Sequence, residues 1–160
     1  MTTVRFDDIA ALTALVRPEF GPWSPAVTVG QPMIDAFAEM TGDQQWIHVD
    51  TARAARESPF GATIAHGFLL LALAPMLKKT PDLDIGGHGN ALNYGLDRVR
   101  FLAPVTAGTA LHGHTRIAAV EARPDGTMVT LNVAIHAVGN ERPAVVFDWK
   151  ILYRPQEQAA

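Results

Sequence analysis

Hydrophobic positions along the first half of the chain recur at helical spacing. Phe6, Ile9, Leu12 and Leu15/Val16 step by three to four residues, which predicts a short amphipathic helix. Pro18, Gly21, Pro22 and Pro25 then break the chain into a loop around Trp23, and residues 26–29 fit a short strand. A helix is predicted over residues 32–40, with proline in its first turn, Thr41-Gly42 at its end, and Met33, Ile34, Phe37 and Met40 on one face. Residues 43–61 are irregular apart from a helical turn near 52–56. From His66 to Leu77 the pattern is apolar almost all the way round: Phe68, Leu69, Leu70, Leu71, Leu73, Met76 and Leu77 leave no polar face. Such a helix is expected to be buried on most sides, and at ~1.5 Å per residue it would run ~18 Å. Pro75 is expected to bend or end it. Residues 80–89 are a Pro/Gly-rich loop.

The second half changes period. Residues 91–102, 109–120, 127–138 and 144–152 are alternating or β-branched segments, separated by Pro104…Gly108, Pro124-Asp125-Gly126 and Gly139-Asn140. Long strands that follow one very apolar helix predict an α+β domain whose antiparallel sheet wraps that helix.

Composition narrows the function. With 160 residues, 48% hydrophobic and 18% charged, the chain fits one ordinary domain over residues 1–155, with 156–160 as a frayed tail. Thirteen Lys+Arg against 16 Asp+Glu give a formal net charge of −3 without a basic block, so nucleic-acid binding lacks its electrostatic footprint. The absence of cysteine excludes disulfides, thiolate metal sites and a Cys nucleophile. Asp7 and Asp8 stand where a signal peptide wants a positive flank, and the apolar run over residues 62–77 falls short of the ~20 residues of a membrane span. A cytoplasmic protein without a membrane segment is expected.

Candidate chemistry concentrates in three stretches: Gly42-Asp43-Gln44-Gln45-Trp46-Ile47-His48-Val49-Asp50, Phe60-Gly61, and Ile64-Ala65-His66-Gly67 at the start of the apolar helix. Asp43 and His48, on a loop between packed helices, could aim a carboxylate and an imidazole into one cleft, the pairing that proton transfer requires. The plainer reading has Asp43 serving a turn and His48 as a satisfied buried ring. Gly67 opens a helix, where free N–H groups favour developing negative charge and no side chain obstructs an approaching carbonyl. The plainer alternative is close packing.

Together these residues resemble the MaoC-like (R)-specific enoyl-CoA hydratases, through the Asp-x4-His element and Ala65-His66-Gly67. The Gln-Trp before Ile-His, with Asn93-Tyr94-Gly95-Leu96-Asp97-Arg98-Val99-Arg100-Phe101 downstream, is most similar to the nodulation protein N-like branch. The likeness covers roughly residues 32–108. It implies a hot-dog fold, a central helix enclosed by a curled antiparallel sheet, paired edge to edge in a homodimer. It further implies that Asp43 and His48 hold the water that adds to a trans-2-enoyl thioester of CoA or acyl-carrier protein. Gly67 N–H would bind the thioester oxygen, with no metal or redox cofactor. Better-known members carry a polar serine late in the central helix where this chain has Pro75, so the acyl pocket is expected to differ in depth.

Asn93 and Tyr94 are candidate substrate-binding residues on a strand facing the helix; ordinary strand packing is the alternative. Arg98 and Arg100 alternate onto one polar face, suited either to a CoA phosphate or to solvent. His112-Gly113-His114 resembles half a metal site but lacks a clear third ligand, so no metal is expected. His66 is read as structural. The rival functions are a hot-dog thioesterase and a non-catalytic acyl-thioester binding module.

Overall fold

Turn residues cut the second half of the chain into four long strands, as the alternation predicts. In the computed structural model, which describes residues 2–78 and 83–156, these are β4 (Asn90–Phe101), β5 (Thr109–Arg123), β6 (Gly126–Ala137) and β7 (Val145–Arg154). With the short β2 (Val27–Val29) they form one antiparallel sheet in the order β2-β5-β6-β7-β4. Alternate residues Val145, Phe147, Trp149 and Ile151 of β7 line its inner face with Leu111 and Ile117 of β5 and Val133 and Ile135 of β6. Each of these side chains contributes roughly 1.5–3 kcal/mol by leaving water.

The apolar helix lies across that face, but in two pieces, α5 (Gly67–Ala72) and α6 (Ala74–Leu77). The break falls at Leu73, and Pro75 occupies the first turn of α6, the place where a missing N–H costs a helix least. Leu69, Leu70, Leu73, Ala74 and Leu77 are buried, whereas Phe68, Ala72, Pro75 and Met76 face outward. The expected burial on most sides is therefore corrected: within one chain the helix pair covers one face and leaves an apolar stripe open.

The remaining elements are β1 (Thr2–Arg5), α1 (Ile9–Thr13), α2 (Gln31–Thr41), α3 (Trp46–Val49), α4 (Thr51–Glu57) and β3 (Leu83–Gly86). β1 and β3 pair in parallel, which corrects the reading of residues 80–89 as loop alone. The helical turn expected near 52–56 is α4, and α3 is a further turn within the stretch read as irregular. Residues 157–160 of the expected tail lie outside the described residues.

Residues 17–25 run as a strap along β5: Gly21 and Ser24 donate their N–H groups to the carbonyls of Thr115 (2.9 Å) and Gly113 (2.7 Å). His112 and His114 project from the outer face about 7 Å apart, room for one aromatic ring between them. Trp23 fills that space, stacked at 3.9 Å on both imidazoles, and Phe20 stacks at 4.2 Å on His114. The Arg116 guanidinium lies 5.1 Å from the Phe20 ring. Gly113 points inward, where an added Cβ would lie 2.6 Å from the Leu77 carbonyl oxygen. Glycine admits the helix end on one face while its neighbours zip the strap to the other. With Trp23 between them, the two imidazoles cannot share one ion.

Candidate active site

α2 ends where Gly42 adopts the left-handed conformation (φ 78°) and donates its N–H to Ala38 O, which turns the chain sharply into Asp43. Three residues later α3 begins, a single turn that carries His48, so His48 sits on a helix rather than on the expected loop. Its Nδ1 lies 2.7 Å from the carbonyl oxygen of Ile64. A carbonyl only accepts, so in the neutral ring Nδ1 carries the hydrogen and Nε2 keeps a lone pair free to take a proton. The Ile64 segment is fixed in turn: Ile64 donates to Ile47 O (3.0 Å) and Ala65 to Val105 O (2.7 Å).

Donor atoms of Asp43, His48 and His66 all lie within 4.8 Å of one another. A water at hydrogen-bonding distance from two acceptors, with its usual angle, spans about 4.5 Å. A gap within that limit leaves a bridging water between carboxylate and imidazole in reach. Asp43 is half exposed, whereas His48 and His66 are buried. His48 lines a cavity of about 270 Å³ with Gly67, Ile64, Leu70, Phe101 and Pro104. Gly67 is the first residue of α5, so its N–H has no partner within the helix. An added Cβ there would lie 2.9 Å from the Phe101 ring. Both roles read for Gly67, an open approach and close packing, are thus compatible at this position.

The other candidates are placed elsewhere. Asn93 lines a second cavity of about 300 Å³ with Leu71, Pro75, Phe147 and Trp149, and its Oδ1 accepts from Trp149 Nε1 at 3.0 Å. Tyr94 is 60% exposed on the edge strand β4. Arg98 and Arg100 do not alternate as expected, because an extra residue in β4 between Asp97 and Arg100 shifts the register, and Arg98 takes a positive φ of 52°. Arg98 is engaged by Asp148, at 2.8 Å from Nε and 2.6 Å from Nη2, and Arg100 donates to Val99 O. Neither reaches the His48 cavity.

Two contributors escaped the sequence reading. Gln31 donates from Nε2 to His48 O (2.8 Å) and Asp35 Oδ1 (2.7 Å), while its Oε1 accepts from Thr63 (2.5 Å), so one amide ties α2 to α3 and to the segment before His66. His66, read as structural, stacks on His48 with ring centroids 3.8 Å apart. No local pattern marks Gln31; for His66, adjacency to Gly67 is the one signal in the sequence.

A curled antiparallel sheet packed on a helix is the hot-dog architecture, and here an Asp/His pair lies beside the helix start. Residues 18–138 match the MaoC like domain, and the chain belongs to that family. It is 40% identical over 149 residues to the 3-hydroxyacyl-thioester dehydratase Z of Mycobacterium tuberculosis, covering 92% of this chain and 97% of that one. It is 39% identical over 142 residues to nodulation protein N of Rhizobium meliloti, covering 88% of each. Among solved structures, the (R)-hydratase from A. caviae involved in PHA biosynthesis superimposes with a TM-score of 0.66 at 25% identity, covering 84% of this chain and 96% of that one. Among the described residues, no helix is long and apolar enough to cross a membrane.

Proposed function

We propose that this protein is an (R)-specific enoyl-thioester hydratase, running equally as a 3-hydroxyacyl-thioester dehydratase, on substrates carried by CoA or acyl-carrier protein. The observation that supports the reading is the gathering of Asp43 and His48 within 4.8 Å, with His48 lining the cavity that Gly67 also lines. A trans-2-enoyl thioester enters with its carbonyl oxygen toward the Gly67 N–H. The Asp43/His48 pair holds the water; its oxygen bonds to the β-carbon as one proton passes to the pair. Electron density shifts to the thioester oxygen, where an aimed N–H is worth ~10²–10³ in rate. Return of a proton to the α-carbon completes the (R)-3-hydroxyacyl thioester. Every atom of water is accounted for, and no metal or redox group enters the balance. Asn93 lines the second cavity, along the helix pair, and is read with its neighbour Tyr94, exposed on β4, as a contact of the acyl chain. Arg98 and Arg100 are read as phosphate contacts only if a bound nucleotide draws Arg98 from Asp148. Acyl-CoA and acyl-carrier thioesters are made in the cytoplasm, which the same reading assigns to the protein.

The working unit is read as a homodimer. Phe68 (72% exposed), Met76 (59%) and Tyr94 stand out beside Leu92, Leu96 and Phe101 on one flank of the chain. Apolar area of that extent beside an unpaired strand edge calls for a partner, and a second β4 supplies one with matching character.

The test follows the ultraviolet absorbance of crotonyl-CoA with purified protein, and free thiol in parallel. Loss of the enoyl chromophore without thiol is expected. Thiol release would establish a thioesterase instead, and silence on short and long enoyl-CoAs and enoyl-acyl-carrier protein would leave a binding module.

A further inference from the structure

His66 has no assigned step in the hydration chemistry, yet it is the most buried member of the cluster, 3% exposed. Its backbone is held at the start of α5, where its carbonyl accepts from the N–H groups of Leu69 (3.1 Å) and Leu70 (3.3 Å). The ring is flanked by Phe37 from α2, at 5.1 Å, and by His48 from α3, at 3.8 Å. Its Nε2 lies 3.0 Å from the main-chain oxygen of Asp43, and 4.0 Å from Asp43 Oδ2. Since the carbonyl can only accept, Nε2 carries the hydrogen, which leaves Nδ1 as a lone pair. That Nδ1 is sealed from solvent with no hydrogen-bond partner. A buried polar atom left so costs about 1–3 kcal/mol, and an aliphatic side chain would avoid it.

What offsets that cost is the place Nε2 holds. Asp43 follows a sharp turn on an exposed loop, and its N–H reaches only Thr41 Oγ1, at 3.5 Å. Among the described residues, the His66 ring is what ties the Asp43 main chain to the interior. We infer that His66 is a positioning residue: it pins the Asp43 carbonyl through Nε2–H, which sets the carboxylate-to-imidazole separation. This inference rests on the hydratase reading and assigns His66 no contact with substrate.

Glutamine reaches as far as histidine, its Nε2 falling where the imidazole Nε2 does, so H66Q keeps the donor and loses the ring. H66F keeps a ring and loses the donor; H66M fills the space with neither. Misplacement of a reacting group by about 1 Å can cost ~10²-fold. H66F is therefore expected to lower kcat by ~10–100-fold with KM within about threefold of the unmodified protein. H66Q is expected to recover kcat to within about threefold. H66M takes the place of H66F if the latter does not fold by circular dichroism. Unchanged kcat in the donor-less variant, or an H66Q as slow as H66F, overturns the positioning role. A fall confined to KM does the same. If D43N abolishes hydration while H66F and H66M leave it intact, the inference fails and the hydratase reading stands; an unmodified protein inactive on every enoyl thioester removes both.

Discussion

On the proposed reading Gly67→Ala separates stability from activity, because it leaves the first near its original value and lowers the second. Gly67 lies in the first turn of α5, so backbone geometry does not demand glycine, and alanine favours a helix by ~1 kcal/mol. The obstacle is local. The new Cβ would stand 2.9 Å from Phe101 Cε1 and 3.0 Å from Cδ1, where ordinary contacts begin at 3.4 Å. The ring must withdraw by roughly 0.5 Å, which it can do cheaply because Phe101 is half exposed and meets the methyl with its far edge. Propensity and contact thus roughly cancel, and the melting temperature is expected within about 4 °C of the original. Turnover is another matter, since the methyl and the displaced ring crowd the cavity in which the thioester oxygen must reach the Gly67 N–H. Loss of one such donor costs ~10²–10³ in rate. The assay is the initial rate of enoyl absorbance loss with crotonyl-CoA, beside a thermal melt. Adding Phe101→Ala to the variant restores the rate only if ring displacement, rather than the methyl itself, is at fault. A Gly67→Ala protein with undiminished turnover would refute the assignment of this amide.

Other expectations follow from the same geometry. Asp43→Asn and His48→Gln should each lower kcat by ~10²–10⁴ with circular dichroism unchanged, and a variant that keeps its activity drops out of the mechanism. Gln31→Leu leaves Thr63 without its acceptor and His48 O without its donor; a loss of about 1–3 kcal/mol in urea unfolding is expected, and an unchanged midpoint would discount the link. Leu96→Asp on β4 should halve the mass seen by light scattering, whereas a wild-type protein already monomeric removes the edge-to-edge reading. The His114 imidazole is pressed from 6.5 to about 4, first by burial and then by His136 and His112. Below pH 6.5 the unfolded chain therefore takes up a proton that the folded chain refuses, and stability falls as pH drops toward 4. Allowing for the partial exposure of the ring, the loss is roughly 1–2 kcal/mol. His114→Phe should flatten the pH dependence of urea midpoints, and an unaltered slope would discount it.

The legible parts of this chain were those with a local period. β5, β6 and β7 carry alternation bounded by Pro, Gly and Asn, and their limits fall within a few residues of expectation. β1 and β3 do not, because they are four residues each and pair across some eighty positions, so nothing local announces them. Pro75 marks an interruption of the apolar helix, but the hydrophobic wheel does not place it: the break falls two residues earlier, at Leu73, with Pro75 in the first turn of α6. The exposed stripe was missed for a related reason: periodicity reports that a face is apolar, not which chain covers it. Likewise, Asp43, His48 and Gly67 could be singled out from their spacing and company, while Gln31 and His66 act across gaps of 17 and 23 residues. The extra residue between Asp97 and Arg100, which spoils the alternation of the two arginines, leaves no compositional trace either.

The two edges of the sheet are covered unequally. Along β5 the edge is closed twice, by β2 at Thr109–Leu111 and by the strap at Gly113 and Thr115. The strap is no passive cover, since Trp23 and Phe20 interleave with His112, His114 and Arg116 on the outer face. A glycine inside a strand often marks a close backbone approach, and here Gly113 meets the helix carbonyl on the opposite side of the same strand. Among the described residues β4 has no such cover: it pairs with β7 along one side only, and bulges after Asn93 and Asp97 interrupt it twice. The edge carries exposed Asp97, Arg98 and Arg100 besides its bulges, devices that blunt pairing, so it is the outward apolar Phe68 and Met76 beside it that invite a partner. The chain spends its strap on the β5 edge instead. Since Phe101 lies on the open edge and also lines the His48 cavity, a second copy docked on β4 would stand against the mouth of that cavity. Leu96→Asp should therefore lower turnover along with mass, and a monomer as active as the dimer would show that the edge and the site are independent.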